Sequence, residues 1–219
     1  MIRAIVFDVG NTLVYFPARL SSSMTLRLID KPLGLSQKSR LEEMRWIRFE
    51  LNKKGNDHRH FAEAYLKAHG IRRSTRKVSR IEAILKKRGK AKAYAETRFV
   101  LRKLCKRYRL VAVSNMDAST AEIMKKLPFM KLFNEVIFSC DVRVVKPEKQ
   151  IYELARKKTG VRPSECLWVG DLLDADYYGP KKCGFQAVLL NRKRKIMPKG
   201  VKQVNSLKQR VGLLNKQEE

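Results

Sequence analysis

The sequence predicts an α/β protein: a doubly wound parallel sheet into which a small all-helical domain is inserted. After residue 92, strand-like apolar runs alternate with helical patterns, which favours a parallel sheet with right-handed crossovers. Residues 17–92 carry helical patterns without strand-like alternation. Three predicted strands end in a polar residue able to bind a ligand. We therefore predict an α/β core from residues 1–16 and 93–219, and a helical insert from residues 17–92.

The first predicted strand is the apolar run from Ala4 to Phe7. It is short and rich in β-branched and aromatic residues, which is typical of a strand buried inside a parallel sheet. Asp8 follows directly, in a turn that contains Gly10, at the strand end where open α/β sheets bind ligands. An aspartate at a strand end is by itself more often a turn or capping residue. Its interpretation therefore depends on what the later strands bring to the same edge.

Three helices are predicted in the insert, from apolar residues at helical spacing that follow capping residues. The capping residues are Ser39 with Glu42, Asn56 or Asp57, and Ser79 with Glu82, and the last two helices end at Gly70 and Gly89. Four aromatic residues lie on or near the apolar stripes of these helices, namely Trp46, Phe49, Phe61 and Tyr65. Their positions predict core packing rather than stacking on nucleic-acid bases.

The remainder of the chain alternates between helices and strands. In chain order we predict helix 94–108, strand 109–115, a helix from Asp117 or Ser119 to Leu127, strand 136–138, helix 148–159, strand 166–169, strand 186–190 and a last helix through Leu207, Val211 and Leu214. Pro147 is expected in the first turn of helix 148–159, and Gly160 at its end. The carboxyl ends of these strands are expected to meet at one edge of the sheet.

The charge of the chain is strongly unbalanced. Its 219 residues include 49 Lys and Arg against 21 Asp and Glu, which gives a formal net charge of +28. The insert alone, residues 17–92, holds 21 basic and 7 acidic residues. Such a field attracts polyanions, including phosphorylated substrates, nucleic acid and anionic lipid. The sign of the charge does not choose among them, and nothing in the sequence indicates an oligomeric state.

Cysteine usage and hydropathy favour a cytoplasmic protein. The four cysteines, Cys105, Cys140, Cys166 and Cys183, form no CxxC pair, so we predict free, buried thiols rather than disulfides or a zinc site. No run of eighteen apolar residues is present, and so no membrane-spanning helix is predicted. The first residues do not have the pattern of a secretory signal.

Four short motifs contain the polar residues at the strand ends and Lys146, which lies between the predicted strands 136–138 and 166–169. These are DVGNT from Asp8, VSN ending at Asn115, VKP around Lys146, and GDLLDAD from Gly170 to Asp176. The set resembles the haloacid dehalogenase (HAD) superfamily, whose four motifs occur in this order. The resemblance covers the whole chain. It implies a Rossmann-like core, a helical cap formed by the insert, and hydrolase activity.

The resemblance implies a phosphoryl-transfer site with Asp8 as its nucleophile. Lys146 and Ser114 would stabilise the charge of the phosphoryl group, because two anions approach each other only when cations and donors neutralise them. Asp8 and Asp171 are hard oxygen ligands suited to Mg²⁺, and the resemblance adds the backbone carbonyl of Gly10. Asp176 would be a further ligand or would orient a metal-bound water.

Two further residues are predicted to bind substrate or to shape the site. Thr12 is expected to orient the Asp8 loop. Asn115 is expected to bond either the substrate or its own loop. The expected substrate is a small phosphorylated molecule. Nucleic acid is an alternative partner that the charge permits but that no RNA-binding motif supports.

The sequence departs from the superfamily at Gly10. Its phosphatases usually carry a second aspartate at this position, which protonates the leaving group and later activates water, as a general acid and base. Three interpretations follow. The first is a Mg²⁺-dependent phosphatase that takes its acid from elsewhere, with candidates Asp174, Tyr15, Asp57, His58 and His60. The second is a dehalogenase-like or phosphonatase-like hydrolase, in which Arg45 would bind a halide or carboxylate. The third is a catalytically impaired scaffold that binds RNA or another polyanion.

Overall fold

A six-stranded parallel sheet forms the centre of the molecule. The computed structural model describes residues 1–16, 27–35, 58–86 and 91–209. The strands are β1 (Ala4–Phe7), β2 (Val14–Tyr15), β3 (Lys92–Ala93), β4 (Arg109–Ser114), β5 (Glu135–Phe138), β6 (Cys166–Gly170), β7 (Gln186–Leu190) and β8 (Gln203–Val204). The strand order is β5-β4-β1-β6-β7-β8, and every neighbouring pair is parallel. The predicted α/β fold is therefore confirmed.

Of the helices with described bounds, two precede β3 and the other five lie between successive strands from β3 to β7. They are α1 (His58–Ala68), α2 (Thr75–Lys86), α3 (Thr97–Leu104), α4 (Ala118–Lys125), α5 (Ser139–Val142), α6 (Lys149–Thr159) and α7 (Gly179–Lys182). A π-helix covers Leu173–Tyr178, and 3₁₀ turns cover Lys31–Leu33, Pro128–Leu132 and Pro163–Glu165. Within the described residues, no helix has the length and apolar character needed to cross a bilayer.

Strand β1 lies in the middle of the sheet and is buried on both faces. Its side chains alternate between two apolar clusters, with Ile5 and Phe7 in one and Ala4 and Val6 in the other. This explains why β1 is a continuous apolar run rather than an alternating pattern. The helical segment has an apolar cluster of its own, which contains Phe61 and Tyr65. Core packing of these two aromatics is thus confirmed.

A second, two-stranded sheet was not predicted. Strand β2 pairs antiparallel with β3, so that Val14 lies opposite Ala93 and Tyr15 opposite Lys92. The chain leaves the α/β core after β2 and returns to it through β3. Strands of two residues carry no alternation that a sequence pattern can reveal. The boundaries of the core and the insert stay a prediction.

Three predicted helix starts were wrong. Helix α2 begins at Thr75 rather than near Ser79, because the Ser74 hydroxyl accepts the Lys77 N–H at 3.3 Å. Helix α3 is shorter than 94–108, since the Tyr94 N–H bonds the Leu13 carbonyl at 3.1 Å and Glu96 is the N-cap residue. Pro147 lies outside α6, whose N-cap residue is Glu148.

Other sequence predictions have mixed outcomes. Strand β8 was missed. All four cysteines are free thiols; Cys140 and Cys166 are buried as predicted, whereas Cys105 is exposed and Cys183 is half-buried. Several predicted features lie outside the described residues: the first insert helix with Ser39, Glu42, Arg45, Trp46 and Phe49, the positions Asn56, Asp57 and Gly89, and the end of the last helix with Val211 and Leu214.

Candidate active site

Three adjacent strands bring polar residues to one edge of the sheet. Asp8 follows β1, Ser114 ends β4, and Asp171 follows β6, and β1 lies between the other two strands. The register pairs Phe7 with both Ala112 and Val169, which sets these strand ends level with one another. The Asp8 N–H also bonds the Val169 carbonyl, at 2.9 Å. The parallel sheet therefore brings Asp8 together with residues that come more than a hundred positions later in the chain.

Lys146 joins two of the carboxylates. Its ammonium donates to Asp8 Oδ1 at 2.8 Å, to Asp176 Oδ1 at 2.6 Å and to the Val113 carbonyl at 3.1 Å. The side chain is only 2% exposed. Burial alone would lower the pKa of Lys146, but the Asp176 and Asp8 charges outweigh it and raise the pKa above its usual value. Lys146 is therefore a permanent positive charge beside Asp8.

Asp8 is held by two donors at a single oxygen atom. Oδ1 accepts from Lys146 and from the Ser114 hydroxyl, the latter at 3.0 Å, and among the described residues no donor contacts Oδ2. Burial, opposed by Lys146 and reinforced by the Asp176 charge, raises the pKa of Asp8. The carboxylate thus has a fixed orientation, and one of its oxygens is left for a metal or a substrate.

Asp176 is bound at both carboxylate oxygens. Oδ1 accepts from Lys146 and from Trp168 Nε1, the latter at 3.2 Å, and Oδ2 accepts the Leu172 N–H at 3.0 Å. The π-helix that carries Asp176 folds back over the end of β6. A Cβ at Gly170 would lie 2.4 Å from Asp176 Cγ, so only glycine fits there. Both oxygens are already bonded, which suits a residue that orients Lys146 more than a direct metal ligand.

The three carboxylates form a cluster with excess negative charge. One oxygen from each of Asp8, Asp171 and Asp176 lies within 4.8 Å of the others. Asn11 donates a hydrogen bond to Asp171, whereas burial, followed by the charges of Asp8 and Asp176, raises the pKa of Asp171 to about 8. A single ammonium does not balance three carboxylates. The spacing and the hard oxygen donors fit a divalent cation such as Mg²⁺.

Asn115 and Thr12 lie beside this cluster and differ in their contacts. The Asn115 side chain donates to the Lys146 carbonyl and accepts the Lys146 N–H, both at 2.7 Å. It therefore holds the loop that presents Lys146, whereas its bond to the substrate or to its own loop stays a prediction. The Thr12 side chain is fully buried, and its hydroxyl has no hydrogen-bond partner among the described residues.

Gly10 lies in the turn after Asp8, with open space around it. A Cβ built at this position meets no atom within 4 Å, and its φ is not in the left-handed region. Packing therefore does not require glycine here. The missing second aspartate is a chemical property of this chain rather than a steric necessity.

The predicted substitutes for that aspartate lie in different places. Asp174 and His60 are exposed, Tyr15 has its ring 5.0 Å from that of Tyr94, and His58 Nε2 lies 3.8 Å from Asp117 Oδ1. Asp57 lies outside the described residues, as does Arg45, the residue expected to bind a halide. None of the described candidates is hydrogen-bonded to the carboxylate cluster.

Two residues of the site were missed in the sequence. Trp168 lies in the buried strand β6, and Asn11 adopts a left-handed conformation with φ 56° in the Asp8 turn. The available signals were weak. A buried indole N–H needs an acceptor, and asparagine is one of the few residues that tolerate positive φ. The first rule does not predict which acceptor the Trp168 N–H binds, and the second does not predict which residue Asn11 contacts.

Comparison with known families identifies the chain. A family model described as haloacid dehalogenase-like hydrolase matches residues 2–184. The chain belongs to this family. It is therefore a haloacid dehalogenase-like hydrolase, and the resemblance seen in the sequence is confirmed at the level of the family.

Curated relatives of this HAD hydrolase include phosphatases. The chain is 29% identical over 211 residues to the glyceraldehyde 3-phosphate phosphatase of Methanopyrus kandleri, covering 88% of this chain and 85% of the relative. It is 28% identical over 198 residues to the enzyme of the same name from Methanothermobacter thermautotrophicus, covering 87% and 86%. Both alignments extend over most of the two chains.

Solved HAD structures share the fold. The 2-haloacid dehalogenase of Pseudomonas syringae aligns with a TM-score of 0.69 at 20% identity, covering 99% of this chain and all of the other. A HAD phosphatase from Thermococcus onnurineus aligns with a TM-score of 0.65 at 22% identity, covering 97% and 98%. A Bacteroides thetaiotaomicron family member, in complex with magnesium and inorganic phosphate, aligns with a TM-score of 0.65 at 16% identity, covering 86% and 94%. At these identities the likeness concerns the fold.

Proposed function

We propose that this HAD hydrolase is a Mg²⁺-dependent phosphatase that acts on a small phosphorylated substrate through an aspartyl-phosphate intermediate on Asp8. The observation that carries the proposal is the environment of Asp8. This buried carboxylate is bonded by Lys146 and Ser114 and belongs to the three-carboxylate cluster. The names of the Methanopyrus and Methanothermobacter relatives support a phosphorylated substrate.

Magnesium would be held by Asp8, Asp171 and the backbone carbonyl of Gly10. Asp176 would act from outside this set, through Lys146 and through water bound near the metal. When bound, the ion supplies positive charge that offsets the repulsion between the phosphoryl group and the Asp8 carboxylate. Two carboxylates with a carbonyl are a usual Mg²⁺ ligand set, because this ion keeps several waters.

The chain's own residues account for the phosphoryl transfer. An oxygen of Asp8 forms a bond to phosphorus while the bond from phosphorus to the leaving oxygen breaks. The Lys146 ammonium would balance the charge of the phosphoryl group from its place beside Asp8, and the Ser114 hydroxyl would turn from Asp8 to donate to a phosphoryl oxygen. Water then attacks phosphorus while the bond from phosphorus to the Asp8 oxygen breaks. The two protons of the water leave with inorganic phosphate, and the Asp8 carboxylate is restored.

The leaving group should matter more than in phosphatases that have the second aspartate. With glycine at position 10, no carboxyl at this position can protonate the leaving oxygen. General acid catalysis typically contributes about 10²- to 10⁴-fold. We therefore expect acyl and aryl phosphates, whose leaving groups need little protonation, to be hydrolysed faster than alkyl phosphates.

The proposal is tested with the full chain, an aryl phosphate and acetyl phosphate, with Mg²⁺ or with EDTA. We expect turnover that depends on Mg²⁺ and is lost in Asp8→Asn, which keeps the shape of the side chain but removes the nucleophile. The matched control is Asp141→Asn, because Asp141 is an exposed aspartate outside the carboxylate cluster. Turnover that survives in Asp8→Asn, or that is equally lost in Asp141→Asn, would contradict the proposal. Glyceraldehyde 3-phosphate is the first alkyl phosphate to examine.

The two other interpretations of the sequence have less support. A metal-free dehalogenase needs no cluster of three carboxylates, and this cluster is present around Lys146. A scaffold that only binds polyanions needs neither a buried carboxylate nor a buried ammonium at the strand ends, and burying such groups is costly. Release of halide without metal, or RNA binding with no turnover of any phosphate, would favour these alternatives.

A further inference from the structure

Arg192 has three partners, which lie in two separate parts of the chain. It follows strand β7, and its side chain is 16% exposed. One terminal nitrogen donates to Glu96 Oε1 at 2.6 Å, and the other donates to the Thr12 carbonyl at 2.8 Å. The guanidinium carbon lies 3.5 Å from the centroid of the Tyr94 ring. A planar fork that bonds and stacks at the same time is specific to arginine, and lysine cannot reproduce it.

The partners of Arg192 belong to the loop that carries the nucleophile and to the segment that faces it. Thr12 lies in the turn that directly follows Asp8, which we call the Asp8 turn. A hydrogen bond from the Leu13 N–H to the Val9 carbonyl, at 2.8 Å, closes this turn. The Leu13 carbonyl in turn accepts the Tyr94 N–H at 3.1 Å and the Thr97 hydroxyl at 2.8 Å. Consecutive carbonyls of the Asp8 turn are thus bound by Arg192 and by residues 94–97.

The same contacts lie where the chain leaves and re-enters the core. Strand β2 follows the Asp8 turn directly, strand β3 precedes Tyr94, and the two pair with each other. The Tyr94 ring contacts both the guanidinium of Arg192 and the ring of Tyr15, at centroid distances of 3.5 Å and 5.0 Å. Burial of the Arg192 and Glu96 pair makes it costly to lose either partner alone. Arg192 therefore fixes the Asp8 turn and the β2–β3 pair to each other.

Arg192 influences the pKa values of both Tyr94 and Glu96. Burial raises the pKa of the Tyr94 phenol, the Arg192 charge opposes that rise, and the Asp171 charge adds to it. The Glu96 carboxyl keeps a pKa below its usual value, because hydrogen bonding to Arg192 outweighs the effect of burial. The pair is therefore charged near neutral pH, and its contacts persist under assay conditions.

We propose that Arg192 is a positioning residue for the reaction at Asp8: it holds the nucleophile turn in register through the Thr12 carbonyl, Glu96 and the Tyr94 ring. The proposal rests on the proposed function of Asp8 as nucleophile. Arg192 acts through the backbone of the turn. A misplacement of the nucleophile by about 1 Å can cost on the order of 10²-fold in rate.

The test compares Arg192→Lys, which keeps the charge but loses the fork and the stacking, with Arg192→Met, which loses all three. We expect kcat for an aryl phosphate to fall about 10- to 100-fold in both variants, while KM changes less than about threefold, because the lost alignment is needed in the transition state. The matched control is Lys193→Met, since Lys193 is an exposed neighbour with the same charge. Its kcat should equal that of the parent chain. Rates are expressed per folded molecule, with the Tm of each variant measured alongside.

Two outcomes separate this proposal from the proposed function. If the parent chain is active and both Arg192 variants keep kcat within twofold per folded molecule, Arg192 is only structural and the positioning role is overturned. If the parent chain hydrolyses no phosphate, the proposed function fails, and amide hydrogen exchange of the 8–14 peptide decides about Arg192. Exchange at least tenfold faster in Arg192→Met than in Lys193→Met supports the anchoring of the turn, and equal exchange overturns it.

Discussion

Gly10 is the residue at which this chain departs most clearly from its superfamily's phosphatases. A Cβ added at this position would meet no atom within 4 Å. We expect Gly10→Asp to raise the hydrolysis of an alkyl phosphate by about tenfold or more, with a smaller gain for an aryl phosphate, because general acid catalysis matters most for poor leaving groups. Steady-state kcat for the two substrates is the measurement.

The control for this substitution is Gly10→Asn, which has nearly the same volume but no acidic proton. An equal gain in the asparagine variant would mean that the effect is steric. No gain in Gly10→Asp would mean that another group of the chain already protonates the leaving oxygen, or that the site performs different chemistry.

Asp171 gives metal binding a dependence on pH. Its pKa is raised to about 8 in the metal-free protein, so the carboxyl is protonated below this pH and ionised above it. Because a metal ligand must be deprotonated, Mg²⁺ displaces this proton at lower pH. We expect the apparent affinity for Mg²⁺ to rise by up to about tenfold per pH unit as the pH approaches 8, and to level off above it.

Isothermal titration calorimetry between pH 6 and 9 measures this linkage. At pH 7, the heats of binding measured in two buffers with different ionisation enthalpies should differ. The size of this difference should correspond to the release of about one proton per bound ion. A Mg²⁺ affinity that stays constant over this pH range would show that Asp171 is already ionised without the metal.

At the scale of the elements, the site depends on how the π-helix Leu173–Tyr178 meets strand β6. Gly170 allows this approach, since a Cβ there would meet the Asp176 side chain. We expect Gly170→Ala to lower the free energy of unfolding by about 1–3 kcal/mol through overpacking, and to weaken the contact between Asp176 and Lys146. Chemical denaturation provides the measurement.

A double-mutant cycle with Asp176→Gly provides the control for this substitution. All three close contacts of the added Cβ are to Asp176 side-chain atoms, so removing that side chain should remove most of the cost of Gly170→Ala. If the two costs were simply additive, the clash would not be the cause of the destabilisation.

At the scale of the whole molecule, the net charge affects how fast the protein encounters an anionic substrate. A net charge of +28 should steer anionic substrates toward the protein, and salt screens such steering. We expect kcat/KM for a dianionic aryl phosphate to fall as ionic strength rises from about 20 to 500 mM, while kcat changes little. The same titration with a monoanionic substrate is the control, and it should have a shallower slope. Equal slopes for the two substrates would contradict electrostatic steering.

Much of the fold was predictable because its signals are local. The apolar runs of β1, β4, β6 and β7 are each contained in one short stretch, and so are the Asp117 cap of α4 and the glycine that ends α6. The predictions were wrong where a distant contact overrides a local pattern. Helix α3 begins further along the chain than predicted because the Tyr94 N–H bonds the distant Leu13 carbonyl. Strand β3 forms only because β2 lies opposite it.

The sequence by itself determined that Asp8, Ser114 and the acidic motif around Asp171 stand at strand ends, and that Lys146 lies between the third and fourth predicted strands of the core. Their order and spacing are properties of the amino-acid sequence, so they could be predicted without the structure. The tertiary structure decided what each residue touches. Lys146 between two carboxylates, Trp168 on Asp176, and Arg192 on the Asp8 turn are contacts between distant segments. No local periodicity records such contacts, because they arise only when the sheet aligns strands that are far apart in the chain.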